Sequence, residues 1–241
     1  MIYYNLASYY DELVSDYEYS KKWADFTKIN ISGNKILELA SGSGEITNIL
    51  YKYGYDILAS DLSLSMLKRL NDKYPYIKTK QIDMIKFSCE NKYDGIICYC
   101  DSINYLNSLD ECKNMFISVY NALKNDGTFI FDMHTEDRLI EFKDEFIEEG
   151  YINDVPYQWT INTIDDEIHH HFVFYTKEKI LQEHHVQKVF KIEDIIKILN
   201  EVGFNIKVYT DFDYEGIING EKYFIVGGKV WLDLLVQWMK K

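Results

Sequence analysis

Apolar positions along the chain fall in short blocks, and the spacing inside the blocks switches between strand and helix periods. Lys35–Leu39 is a brief buried run that predicts a strand, and Glu45–Lys52 carries helical spacing that stops near Gly54. The same alternation continues through a strand at Asp56–Ser60, a helix at Ser63–Tyr74 stopped by Pro75, and strands at Ile77–Ile82 and Tyr93–Tyr99. A helix over Leu109–Leu123, closed by the turn Asn125-Asp126-Gly127, leads into a fifth strand at Thr128–Met133. Residues 5–30 read as helical. Strands alternating with helices predict parallel βαβ units in an open sheet covered on both faces.

The rhythm then changes. From Tyr157 to Phe190, segments such as WTINTI, HHHFVFYT and EHHVQKVF are strand-like and separated by polar turns, which predicts an antiparallel meander. A helix over Ile192–Val202, ending at Gly203, and strands at Asn205–Asp211 and Lys222–Gly227 resume the first pattern. The expected fold is α/β: a Rossmann-like, seven-stranded, mostly parallel sheet with an inserted antiparallel β meander. Residues 1–241 form one domain, with 1–30 as an N-terminal helical cap and 140–190 as a meander that serves as a substrate lid. Ligands of such sheets bind beyond the carboxyl ends of the strands, and a meander leaving strand five starts on that rim. The tail WLDLLVQWMKK places Trp231, Leu234, Leu235 and Trp238 on one helical stripe, which would favour a homodimer.

Composition narrows the function. The chain has 241 residues, 47% of them hydrophobic, so it can bury a large core. A formal net charge of -13 makes nucleic acid a poor partner, because binding it needs a cluster of Lys and Arg. The four cysteines, Cys89, Cys98, Cys100 and Cys112, form no CxxC pair, and Cys98 and Cys100 are expected on one strand face. Reduced thiols, no visible signal peptide and no apolar run of the roughly 18 residues a membrane span needs lead to the expectation of a cytoplasmic protein with no membrane partner.

The stretch ILELASGSGEIT, residues 36–47, holds the chemistry. A GxG turn between strand and helix suggests a nucleotide cradle. The dinucleotide fingerprint wants Gly or Ala at its third position, but Thr47 stands there and Glu38 precedes the turn, so an NAD-dependent oxidoreductase is disfavoured. No Lys or Arg lies in the turn, which weighs against a phosphate-rich ligand. Asp61, closing strand two, can accept from a ribose diol. Asp83, after strand three, can accept from an exocyclic amine, with Met84 beside it and Met66 available for apolar contact.

The set LELASGSGEIT, ASDLSLSML, QIDM and YDGIICYCDSINYL, in this order and at these separations, resembles the class I S-adenosylmethionine-dependent methyltransferases. The closer similarity is to bacterial small-molecule members such as the nucleotide-sugar N-methyltransferases. The resemblance covers residues 1–230 and implies a seven-stranded sheet with one antiparallel strand. It implies that Glu38 lies by the methionine amino group and that Ala40, Ser41, Gly42 and Gly44 let the backbone approach S-adenosylmethionine. It further implies that Asp61 binds the ribose, Leu62 and Met66 flank the adenine, Asp83 and Met84 meet its amine and ring, and Cys98 and Tyr99 line the sulfonium region. Ala40-Ser41 departs from the commoner Gly or Cys followed by Gly, though both residues are small.

Methyl transfer needs the acceptor held in line and an outlet for its proton. Rim candidates are Asp101, Ser102, Asn104 and Tyr105 past strand four, Asp132 and His134 past strand five, and Tyr9, Tyr10, Asp11 and Tyr17 in the N-terminal segment. His134 leads as the base, with Tyr105 and Tyr10 also catalytic candidates. Tyr105 stands where some sugar N-methyltransferases have His, and a phenol with a pKa near 10 is a poor base alone. His169, His170, His171, His184 and His185 invite a metal reading, because His169 and His171 share a strand face that His184 or His185 could join. A wall of the substrate pocket, with His185 in it and no metal, is the reading preferred. The expectation is a methyltransferase acting on a small polar metabolite, more at nitrogen than oxygen. A non-catalytic cofactor-binding sensor or scaffold is the alternative from another class.

Overall fold

The computed structural model describes Tyr9, Glu12, Leu13 and residues 16–229. Tyr10, Asp11 and the Trp231–Trp238 stripe lie outside the described residues.

The elements follow in order: α1 (Tyr17–Asn30), β1 (Lys35–Leu39), α2 (Glu45–Lys52), β2 (Asp56–Asp61), α3 (Leu64–Lys73), β3 (Lys78–Gln81) and β4 (Tyr93–Cys98). After a 3-10 turn at Ser102–Tyr105 come α4 (Leu109–Ala122), β5 (Leu123–His134) and α5 (Asp137–Glu141). Four strands follow, β6 (Phe146–Ile152), β7 (Val155–Ile164), β8 (Glu167–Tyr175) and β9 (Ile180–Lys188). The chain then forms α6 (Ile192–Val202), β10 (Phe204–Thr210), β11 (Tyr214–Glu215) and β12 (Lys222–Lys229).

The main sheet has the order β11-β10-β12-β5-β4-β1-β2-β3. β5, β4, β1, β2 and β3 run parallel, and β12 enters antiparallel between β5 and β10. The seven expected strands are present, and the two-residue β11 adds an eighth at the edge. β5 begins at Leu123, ahead of the expected turn. That turn survives as an irregularity, because pairing with β4 jumps between Tyr93 and Gly95 and Asp126 takes φ 63°.

Strands buried on both faces explain the near-continuous apolar runs. One face packs Phe129, Phe131 and Ile225 against Phe116 and Val119 of α4 and Ile195 and Leu199 of α6. The other packs Ile36, Ile97, Ile130 and Phe224 against Trp23 and Phe26 of α1 and Ile49 and Leu50 of α2. The meander forms a separate antiparallel sheet, β6-β7-β8-β9, one strand larger than the three quoted segments. β6 escaped notice because FIEEGYI has acids where strand propensity is weak. Tyr9 stacks on Phe174 of β8 with centroids 4.4 Å apart, and Glu12 pairs with Arg69 of α3 at 3.1 Å, so these residues link the meander to a helix of the main layer.

Strand order reverses on either side of β1, where a crevice opens above the strand ends. Gly44 sits at its floor with φ 85°, and a Cβ there would lie 2.5 Å from Leu70 Cγ. Gly44→Ala should therefore cost about 2 kcal/mol or more, from left-handed strain plus overpacking against α3. Urea unfolding of the two proteins measures it, and an unchanged midpoint would contradict the packing.

Candidate functional site

A cleft of about 510 Å³ opens over the carboxyl ends of β1, β2 and β4. All the cofactor-binding residues expected from sequence line it, except Cys98. Ser20, Glu45, Cys100, Ser102 and Leu106 line it as well, without having been anticipated as cofactor contacts.

The turn after β1 is built from left-handed residues: Ala40 at φ 53°, Gly42 at 55° and Gly44 at 85°. Only Ala40 carries a Cβ there, so it bears strain that glycine would not. Gly42 has open space where a Cβ would stand, and its N–H donates to Asp61 Oδ2 at 2.9 Å. Ser41 N–H donates to the Ser60 carbonyl at 2.8 Å. The turn is thereby tied to the end of β2.

Glu38 is buried beneath this turn and accepts a hydrogen bond from Thr47 Oγ1 at 2.5 Å. Burial pushes its pKa up to about 8, the Thr47 hydroxyl pulls it down, and Asp61 pushes it up again. Among the described residues it has no ion-pair partner. Thr47 thus has a specific use: the position where a dinucleotide fold wants a small residue supplies the hydroxyl that holds Glu38.

Asp61 Oδ1 accepts the Ser63 N–H at 2.7 Å, and Ser63, not Asp61, caps α3. Burial raises the Asp61 pKa, against the backbone bonds from Ser63, Gly42 and Leu62 that lower it. Each oxygen retains acceptor capacity toward the cleft. Leu62 is exposed on the rim, while Met66 is buried and serves both the core and the cleft floor. Asp83 accepts the Ile85 N–H at 2.9 Å, a local turn that leaves its carboxyl exposed beside Met84.

Strand four ends differently from expectation. Cys98 is fully buried in the core among Leu39, Ile103 and Phe131, and Cys100, not Cys98, lines the cleft. Cys100 and Asp101 take φ 56° and 57°, so the strand has already ended and the two thiols do not share a face. Tyr99 lines the cleft and donates its hydroxyl to Thr27 Oγ1 at 2.7 Å, since Thr27 gives its own proton to the Trp23 carbonyl.

The rim opposite carries a chain of polar groups. Tyr105 lines the cleft, and its hydroxyl lies 3.1 Å from Nδ1 of the buried His185. His185 Nε2 lies 2.9 Å from Glu183 Oε1. The carboxylate fixes the proton on Nε2 and leaves Nδ1 as an acceptor for the phenol. His185 thus stands behind Tyr105, which alone of the three lines the cleft.

His134 is not on the cleft wall. It is buried behind Asp101, its Nδ1 3.5 Å from Asp101 Oδ1, and neither atom has a hydrogen-bond partner among the described residues. Its Nε2 faces Gln187 Oε1 at 3.1 Å, and His170 Nε2 meets the same oxygen at 3.0 Å. Burial lowers the His134 pKa while Asp101 raises it. Asn104 braces this layer, accepting the His134 backbone N–H and donating to the Lys188 carbonyl. Tyr17 is exposed on α1 and does not line the cleft, while Ser102 lines it and donates to the Tyr99 carbonyl.

Lys222, which sequence reading missed, joins the two rim aspartates. Its Nζ lies 2.5 Å from Asp101 Oδ2 and 3.3 Å from Asp132 Oδ2. Burial opposes ionisation of Asp101, but His134 and Lys222 hold it below the usual carboxylate range. Burial pushes Asp132 up against the pull of Lys222. Two carboxylates share one ammonium, because β12 lies beside β5 in register with Lys222 opposite His134.

Comparison with known proteins agrees with this geometry. A family model described as a methyltransferase domain matches residues 36–127. YqeM of Bacillus subtilis (strain 168), provisionally named a methyltransferase, is 29% identical over 95% of this chain and 98% of its own length. A glycine/sarcosine N-methyltransferase of Aphanothece halophytica is 23% identical over 84% of this chain and 80% of its own. The crystal structure of an S-adenosylmethionine-dependent methyltransferase from Clostridium acetobutylicum ATCC 824 superposes with a TM-score of 0.79 at 27% identity, covering 95% of this chain and 99% of that one.

Two outcomes follow from the buried charges. Glu38 goes from an ordinary value of 4.5 to about 8 on folding, so folding takes up a proton between those values. The associated stability is complete below about pH 4.5 and is lost as pH rises through about 8. In urea unfolding without ligand, Glu38→Gln should flatten the decline between pH 5 and 8. Lys222→Met strands Asp101 and Asp132 together, and should cost about 3–5 kcal/mol at pH 7. The cost should shrink at acidic pH, where the carboxylates protonate.

Proposed function

We propose that this chain, an S-adenosylmethionine-dependent methyltransferase, transfers the methyl group to nitrogen in a small polar metabolite. The cleft suits the cofactor. Glu38 is a buried carboxylate lacking a cation, beside a backbone turn open at Gly42, and the cofactor's amino-acid end carries an ammonium. When bound, the cofactor would have its ribose held by Asp61 and its adenine amine by Asp83, with Leu62, Met66 and Met84 as apolar contacts. Tyr99 and Cys100 line the cleft together with Tyr105. When bound, the cofactor supplies an electrophilic methyl group on a cationic sulfur.

The observation that carries the acceptor reading is the Tyr105–His185–Glu183 chain at the cleft rim. An amine acceptor must lose a proton around methyl transfer. Tyr105 reaches the cleft, and its phenol can hand a proton to His185 Nδ1 while taking one from the acceptor. Glu183 stabilises the imidazolium that results. A phenol that is a poor base by itself thereby gains a better one behind it. His134, pushed down by burial and set behind Asp101, is a positioning residue in this reading. The second sheet, which carries His185 and Glu183, acts as the lid over the acceptor. The N-methyltransferase of Aphanothece halophytica supports nitrogen as the target.

The test is a panel of small amines and matched alcohols, read by release of the demethylated cofactor. Turnover confined to amines is expected, and turnover confined to alcohols would overturn the nitrogen assignment. With an amine substrate found, His185→Gln and Tyr105→Phe should each lower kcat by about 100-fold or more. Cofactor affinity by calorimetry should stay unchanged in both. Glu38→Gln should do the reverse and weaken cofactor binding most. In the wild type that affinity should climb between pH 5 and 7, because binding a cation ionises Glu38 and releases its proton.

A further inference from the structure

The register of the second sheet divides its histidines between two faces. His170 pairs opposite His185, and both side chains enter the polar layer beneath the cleft rim. His169 and His171, two apart on β8, share the other face with His184, which pairs opposite His171 on β9. The methyl-transfer reading uses the first pair and leaves these three without a role.

Their geometry is convergent. His169 Nδ1 lies 3.0 Å from His184 Nε2, and the rings of His171 and His184 stack with centroids 4.1 Å apart. One ring nitrogen from each of the three falls within 4.8 Å of the other two. Glu167, on the same face, places Oε2 3.5 Å from His169 Nε2, a buried nitrogen with no hydrogen-bond partner among the described residues. A carboxylate there keeps the proton on Nε2 and aims the Nδ1 lone pair at the neighbouring imidazoles. Metal-bound histidines are oriented by such an outer carboxylate.

We propose that His169, His171 and His184 form a three-imidazole site for a divalent transition-metal ion of the zinc or nickel class. Three neutral imidazoles and a water complete a tetrahedral shell, and nitrogen donors suit these ions better than magnesium or calcium. The stacked His171 and His184 rings must turn about their side-chain bonds to share an ion, and both are exposed enough to do so. A bound ion ties β8 to β9 on the face opposite His185 and Gln187. It therefore stiffens the strand pair that carries the acceptor wall, without entering the cleft.

Tag-free, chelator-treated protein titrated with zinc chloride, then with nickel chloride, tests the site by calorimetry. One ion per chain with a dissociation constant of about 10 µM or tighter is expected. His171→Ala and His184→Ala should each weaken it at least about tenfold, and Cys100→Ser, which removes the exposed competing thiol, should leave it unchanged. Zinc should raise the Tm of the wild type but not of His184→Ala. Absence of saturable binding below about 100 µM, or undiminished binding in the His171→Ala/His184→Ala double variant, would overturn the proposal. Neither result bears on methyl transfer, which is read separately by turnover.

Discussion

A carboxylate buried without a cation governs this molecule. Glu38 sits under a left-handed turn at the end of the central strand, held by one threonine hydroxyl. Leaving a charge in that position is costly, so the free protein takes up a proton there. The surroundings are arranged around the same requirement. Ala40 bears positive-φ strain, Gly44 brings α2 close to α3, and Asp61 clamps the turn through Gly42. An acid held neutral by burial ionises only when a cation is brought beside it.

The layer between the two sheets solves an opposite problem. Asp101 and Asp132 lie at the ends of adjacent strands, too close to be ionised together without help. Lys222 supplies that help from a strand far away in sequence. With His134, Gln187 and His170 the cluster forms a continuous polar layer between the two sheets. Such a layer fixes how the second sheet seats on the first, because a shift would leave buried polar groups unpaired.

Much of the cleft was legible because its residues sit within one turn of a strand end. Glu38, Asp61 and Asp83 each lie within two residues of a strand end, and local pattern suffices to place them on the rim. The errors arose where backbone geometry changes within two residues. Cys98 and Cys100 look alike in an alternating run, but Cys100 falls past the end of β4 in a left-handed conformation and turns into the cleft. His134 ends β5 as a catalytic base would, yet the segment just past β4, at Asp101, covers it. Lys222 and Glu183 could not be placed because nothing local marks them. Lys222 depends on β12 entering antiparallel beside β5, and Glu183 on the pairing of β8 with β9. The histidine run shows the same limit: periodicity says that neighbours alternate, but only the register says which face meets the cleft.

The position of β12 carries a consequence for how the chain is made. It is the last described strand, yet it lies inside the sheet between β5 and β10. Until it arrives, β5 presents an open edge and Asp132 has no ammonium. During synthesis, β1 to β5 can pair early from near neighbours in sequence. The ion pairs at Asp101 and Asp132 must wait for β12 to thread into place. A chain cut short before residue 222 therefore leaves Asp132 without its ammonium and β5 with an unguarded edge, a natural target for chaperones or proteases.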